Sequence, residues 1–142
     1  MGKKHKYDDT MKSGAIPVNS PFYLFMIAQK GIDTDTFSEI VSKSPFTLEE
    51  TARYLHISVK TINRRIQEKQ FFSTAESEKV LQILQVTNKG LEVFEDDKKF
   101  KKWLERENIS LGNKKPKELL ENTFGVQMLL DELGRIEHGI FA

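Results

Sequence analysis

Along most of the chain the apolar residues recur every three or four positions, the period of a helix with one buried face. Val80, Leu84, Leu91 and Phe94 fall close to one face of a long helix that opens near Ser73. Phe100, Trp103 and Leu104 share a second stripe. Val126, Leu129, Leu130, Leu133, Ile136 and Ile140 form a third. Alternating β-branched runs bounded by turns, the mark of strands, are missing. The pattern predicts an all-α fold of about five to eight helices.

Boundary signals divide this pattern into short pieces. Ser20-Pro21 offers a cap followed by proline at the first helical position, where a missing N–H costs nothing. Gly31 is placed to end that helix. Thr36/Glu39, Thr47/Glu50 and Ser73/Glu76 each have the spacing of a capping box, in which hydroxyl and carboxylate satisfy two orphan backbone donors. Asp96-Asp97 marks a break and a new start, Gly112-Asn113 a turn, and Pro116 a short helix holding Leu119 and Leu120. Gly139 ends or frays the last helix. Residues 1–19 are polar, with Gly, Pro, Asn and a lysine cluster, and read as a mobile arm.

Residues 48–67, LEETARYLHISVKTINRRIQ, have the arrangement of a helix-turn-helix. Ala52 is small where two helices must cross closely. Leu55, Ile57, Ile62 and Ile66 are apolar where such a unit buries its side chains. His56-Ile57-Ser58 makes the turn, and Ser58 can cap the second helix. That helix exposes Val59, Lys60, Asn63, Arg64 and Gln67. Its N-terminus can enter a major groove, where Arg or Lys pairs with guanine and Asn or Gln with adenine. Thr61, Arg65 and Lys69 are placed to meet phosphates. The candidate DNA-binding set is Ser58, Val59, Lys60, Thr61, Asn63, Arg64 and Gln67. A helix hairpin with a basic solvent face has the same pattern.

Composition narrows the function classes. The 142 residues include no cysteine, which removes disulfides and thiolate chemistry. His5, His56 and His138 show no metal-ligand spacing, and no glycine-rich phosphate loop is present. We therefore expect no enzyme, no cofactor, no metal and no catalytic residue. No apolar run approaches the ~20 residues of a membrane span. A cytoplasmic protein is expected. Net charge is +1, but residues 1–70 are net basic and residues 71–142 net acidic, which permits two different partners.

The helix-turn-helix resembles that of phage repressors and Xre-type regulators, departing at His56, where those proteins usually have glycine in the turn. The second half resembles the Xre/MbcA/ParS toxin-binding domain of antitoxins. Glu76-Ser77, Val93-Phe94, Asp96, Trp103-Leu104, Asn108, Leu111-Gly112, Pro116, Leu119-Leu120, Thr123, Gly125, Leu130 and the run Arg135 to Ala142 carry the resemblance in order and spacing. Gly90 and Phe100 depart from it, standing where alanine is usual, as does Asn113, where a second glycine is common.

The resemblance implies three segments: an arm (1–19), an Xre-like helix-turn-helix domain (20–75) and a toxin-binding domain (76–142), the helix-turn-helix unit packed on the C-terminal helical unit. It implies an antitoxin that neutralises a RES-domain toxin, an NAD-consuming or ADP-ribosylating enzyme, by covering its active site. It also implies a repressor of its own operon that binds double-stranded operator DNA. A homodimer is expected, since such readers use two half-sites. The toxin-facing set is Arg135, Ile136, His138, Gly139, Ile140 and Phe141. The apolar members of that set can equally complete the chain's own core, and His138 can cap a helix. Trp103 reads as a core anchor and the Lys98–Lys102 run as a solvated face. A helix-turn-helix regulator without a toxin partner is the alternative function.

Overall fold

The structure, a computed structural model, describes residues 16–139. Its α-helices, in chain order, are α1 (Pro21–Lys30), α2 (Thr34–Lys43), α3 (Leu48–Leu55), α4 (Val59–Glu68), α5 (Thr74–Phe94), α6 (Asp97–Leu104) and α7 (Thr123–Gly139). Two 3-10 helices, Ile109–Leu111 and Pro116–Glu121, lie between α6 and α7. No strand occurs among the described residues, so the all-α expectation holds. The chain divides into two compact units, the first running to Leu84 and the second beginning at Gln85, within α5.

Local chemistry sets most boundaries where the sequence places them. Pro21 opens α1 and Gly31, at φ +92°, ends it. The Thr47/Glu50 box is complete: Thr47 Oγ1 accepts from Glu50 N–H and Glu50 Oε1 from Thr47 N–H, both at 3.0 Å. Ser73 and Glu76 form the same reciprocal pair at 2.9 and 3.1 Å. Asp96 caps α6 through Lys98 N–H. The Thr36/Glu39 box does not form. Helix α2 starts earlier, at Thr34, because Asp33 takes the cap and accepts from Thr36 N–H at 2.7 Å. A carboxylate on the first free N–H groups gains from the helix dipole as well as the hydrogen bond, so it wins over the hydroxyl further on. The expected arm is described only from residue 16, where Ile16 is buried and Ser20 N–H closes a turn onto Pro17 O.

The first unit buries Ile27, Ile32, Phe37, Ile40, Phe46, Tyr54, Leu55, Ile62 and Phe72. Rings anchor it. Phe37 and Phe72 stack at 4.4 Å between centroids, and Phe46 meets Tyr54 edge-on at 5.4 Å. Beyond Gly31 the chain is pinned by long-range bonds. Ile32 N–H donates to the buried Ser77 hydroxyl at 2.8 Å, and Phe72 N–H donates to Ile32 O at 2.9 Å.

In the second unit Phe100, Leu104, Leu111, Leu120, Val126, Leu129 and Leu133 are buried. Trp103 is half-buried and lies 5.5 Å from the Phe94 ring, which is itself 5.8 Å from Phe100. The Gly112-Asn113 turn forms with both residues left-handed, at φ +72° and +64°. Asparagine tolerates that region better than most residues, so a second glycine is dispensable here.

The two departures at positions 90 and 100 explain one another. Gly90 lies in α5 with its Cα against the Phe100 ring, and a Cβ there would overlap three ring atoms. Glycine in a helix interior costs roughly 1 kcal/mol relative to alanine. The bare Cα admits a fully buried phenyl group, worth about 1.5–3 kcal/mol in burial. Gly90→Ala should therefore lower stability by roughly 2 kcal/mol by overpacking, despite its better helix propensity. Urea denaturation monitored by helicity measures this; an unchanged or higher midpoint would contradict the packing described.

Candidate nucleic-acid and partner-binding surfaces

Helix α3 ends at His56, whose backbone is left-handed at φ +61°, ψ +36°. Its N–H is taken up by the carbonyls of Ala52 and Arg53, and Ile57 N–H returns to Ala52 O at 3.1 Å. The turn thus keeps the helix-ending geometry usually left to glycine, with the His56 side chain exposed. Ser58 then caps α4. Its Oγ accepts from Thr61 N–H at 3.0 Å and donates to Thr61 Oγ1 at 3.0 Å.

Ala52 and Ile62 are buried, as the crossing of two short helices requires. On the opposite side of α4, Lys60, Asn63, Arg64 and Gln67 are exposed, and with the half-buried Thr61 they line one shallow concavity. Val59 is half-buried at the first turn. The sequence-assigned polar set is therefore brought together on one side of one helix. Lys69 is exposed at the end of α4 and is itself left-handed, at φ +54°.

Arg65 departs from its expected role on phosphates. It points into the protein, forms an ion pair with Glu76 at the start of α5, and lies over the Phe72 ring at 5.3 Å. Only 19% of the Arg65 side chain and 12% of the Glu76 side chain remain exposed, so this guanidinium is not offered to a ligand. Burial alone would push the Glu76 carboxyl up, but hydrogen bonds from Arg65 and from Ser73 hold it below the usual glutamate range.

The second candidate surface lies on α7. Arg135 is exposed, yet its guanidinium is held by both oxygens of Glu132, with Nε 3.0 Å from Oε1. Glu132 is buried, so the pair fixes the arginine against the helix that carries it. Ile136 is half-buried, while His138 and Gly139 are exposed at the end of the helix. Ile140 and Phe141 lie outside the described residues. Glu137 accepts a 2.7 Å hydrogen bond from Lys89, which ties the last turn of α7 to α5. That bond raises the Lys89 ammonium above the ordinary lysine range and lowers the Glu137 carboxyl.

Sequence reasoning missed the outer face of α7. Phe124 is 84% exposed and Met128 45% exposed, one turn apart. The signal was present: both fall off the stripe drawn by Val126, Leu129 and Leu133. Among the described residues no helix is long and apolar enough to cross a membrane.

These features define a helix-turn-helix protein with a second, separately built helical unit. Residues 26–85 match the antitoxin Xre-like helix-turn-helix domain, and residues 89–139 match the antitoxin Xre/MbcA/ParS C-terminal toxin-binding domain. The chain belongs to the Xre-type antitoxin family. It is 28% identical over 125 residues to "Antitoxin Xre" of Photorhabdus laumondii subsp. laumondii, covering 87% of this chain and 84% of that one. It is 27% identical over 128 residues to "Antitoxin Xre" of Yersinia enterocolitica, covering 89% and 86% respectively.

The Glu76 carboxylate yields a pH test. Its folded value lies below the unfolded one, so its contribution is complete above the unfolded value near ~4.3 and is lost as pH falls through the folded value. Glu76→Gln should cost about 1–2 kcal/mol at pH 7, from a weakened cap and a lost charge-assisted bond. The gap between the two proteins should narrow below about pH 4. Parallel urea titrations at several pH values measure it; a gap independent of pH would remove the ion pair as its source.

Proposed function

We propose that this chain neutralises a RES-type toxin, an enzyme that consumes NAD⁺ or uses it to ADP-ribosylate a target, and represses its own operon. The observation that carries the reading is the pairing, in one chain, of an Xre-like helix-turn-helix with a toxin-binding domain of the Xre/MbcA/ParS kind.

DNA is held through α4. Ser58 and Val59 set its first turn at the groove, with the Thr61 hydroxyl toward the backbone. Lys60, Asn63, Arg64 and Gln67 face base edges and phosphates, which their exposure on one side of the helix supports. A homodimer places two such helices on half-sites about one helical turn apart. The exposed Phe22 and Phe25 on one side of α1 give two copies an apolar surface to share.

The toxin is held through the second unit. The closing residues from Arg135 to Phe141 (Arg135, Ile136, His138, Gly139, Ile140 and Phe141) lie across the toxin's active-site entrance. The Lys89–Glu137 bond holds the last described turn of α7 against α5. Inhibition is steric, so the antitoxin supplies no reacting group.

Two outcomes test the division of labour. Arg64→Ala should weaken operator binding about ten-fold or more in gel-shift titrations at fixed salt, with neutralisation intact. Unchanged affinity would take Arg64 off the interface. Removal of Gly139–Ala142 should release toxin activity while operator binding persists. Full growth protection by the shortened chain, co-expressed with its toxin, would refute occlusion by the closing segment.

A further inference from the structure

A toxin-binding domain needs a docking surface of interface size. Stable protein interfaces engage about 20–30 residues a side and bury roughly 800 Å² on each partner. On the toxin-binding reading that surface belongs to residues 89–139, the range matched to the toxin-binding domain. Large exposed apolar side chains mark where such contact concentrates. In that range they are Ile109, Phe124 and Met128, and two of the three stand on α7.

We infer that the outer face of α7, anchored by Phe124 and Met128, is the main toxin-docking surface. The inference rests on the toxin-binding reading above. Phe124, Met128, Asp131, Arg135 and His138 are all exposed and follow one another at intervals of four, three, four and three residues. That spacing draws one straight stripe on a helix. At 1.5 Å per residue it spans about 21 Å, the scale of one interface. It is apolar at its start and charged at its end. The side opposite holds Val126, Leu129 and Leu133 in the core, so the helix is used on both sides.

Gly134 points to the same occupant. It sits inside α7 beside Asp131 and His138, and a Cβ there would meet nothing within 4 Å. No contact among the described residues requires glycine at this point, and the helix gives up roughly 1 kcal/mol relative to alanine. A partner lying close against the stripe supplies the missing reason. The toxin surface that fits has an apolar recess for the Phe124 ring and, about 16 Å along the helix, an acceptor for the fixed Arg135 guanidinium.

The test is calorimetric titration of the full chain with the protein encoded beside it, made as an inactivated toxin. Phe124→Ala and Met128→Ser should each leave the melting temperature of the free chain close to wild type. Phe124→Ala should weaken toxin binding at least 30-fold, and Met128→Ser should weaken it measurably. Phe71→Ala, an exposed aromatic of the first unit, should bind like wild type. Gly134→Ala should raise the melting temperature and weaken binding, a combination that a purely structural role would not give. Wild-type binding with Phe124→Ala within three-fold of it would overturn this inference and leave the proposed function standing. No binding by the wild-type chain would remove both.

Discussion

The Glu76 carboxylate is the point on which the first unit turns. It closes the N-terminus of α5 by accepting from Ser73 N–H, and it receives the Arg65 guanidinium from α4. One group thus sets where the long helix begins and how the preceding helix is rotated. With Arg65 drawn inward over Phe72, the neighbouring Arg64 and the residues one turn away are left outward. Ile32 and Ser77 meet at the same end of α5, so the exit of α1 and the entry of α5 are held together with it. The exposed face of α4 is a consequence of this buried arrangement as much as of its own sequence.

Much of this was legible in the sequence, and the legible parts share a cause. Caps and turns are local. Thr47 with Glu50, Ser73 with Glu76, Ser58 and the left-handed His56 are all decided within a few residues, so spacing alone reveals them. The illegible parts are decided at a distance. Arg64 and Arg65 are adjacent and chemically identical, and nothing local says which faces inward; Glu76, eleven residues on, makes the choice. Lys89 and Glu137 are 48 residues apart and give no sequence sign of their bond. The Thr36/Glu39 motif failed for a different reason: two acceptable caps competed, and the carboxylate of Asp33 came first.

The second unit shows the same division. The stripe from Val126 to Leu133 predicted the buried side of α7, and the structure buries Val126, Leu129 and Leu133. An apolar stripe marks only the more apolar side, and so conceals a helix that is apolar on one side and partly apolar on the other. Phe124 and Met128 belong to that second side. Arg135 was placed from sequence in the toxin-facing set, but its pairing with Glu132 was not, because that depends on Glu132 being buried.

The fit between Gly90 and Phe100 reaches beyond packing. The two positions lie on different helices and are not independently variable: a larger residue at one collides, and a smaller residue at the other leaves a hollow the size of a ring. Any hybrid that joins this long helix to the following helix of a relative with alanine at both sites inherits one defect or the other. A crossover between positions 90 and 100 therefore carries a stability penalty that an exchange of the whole stretch avoids.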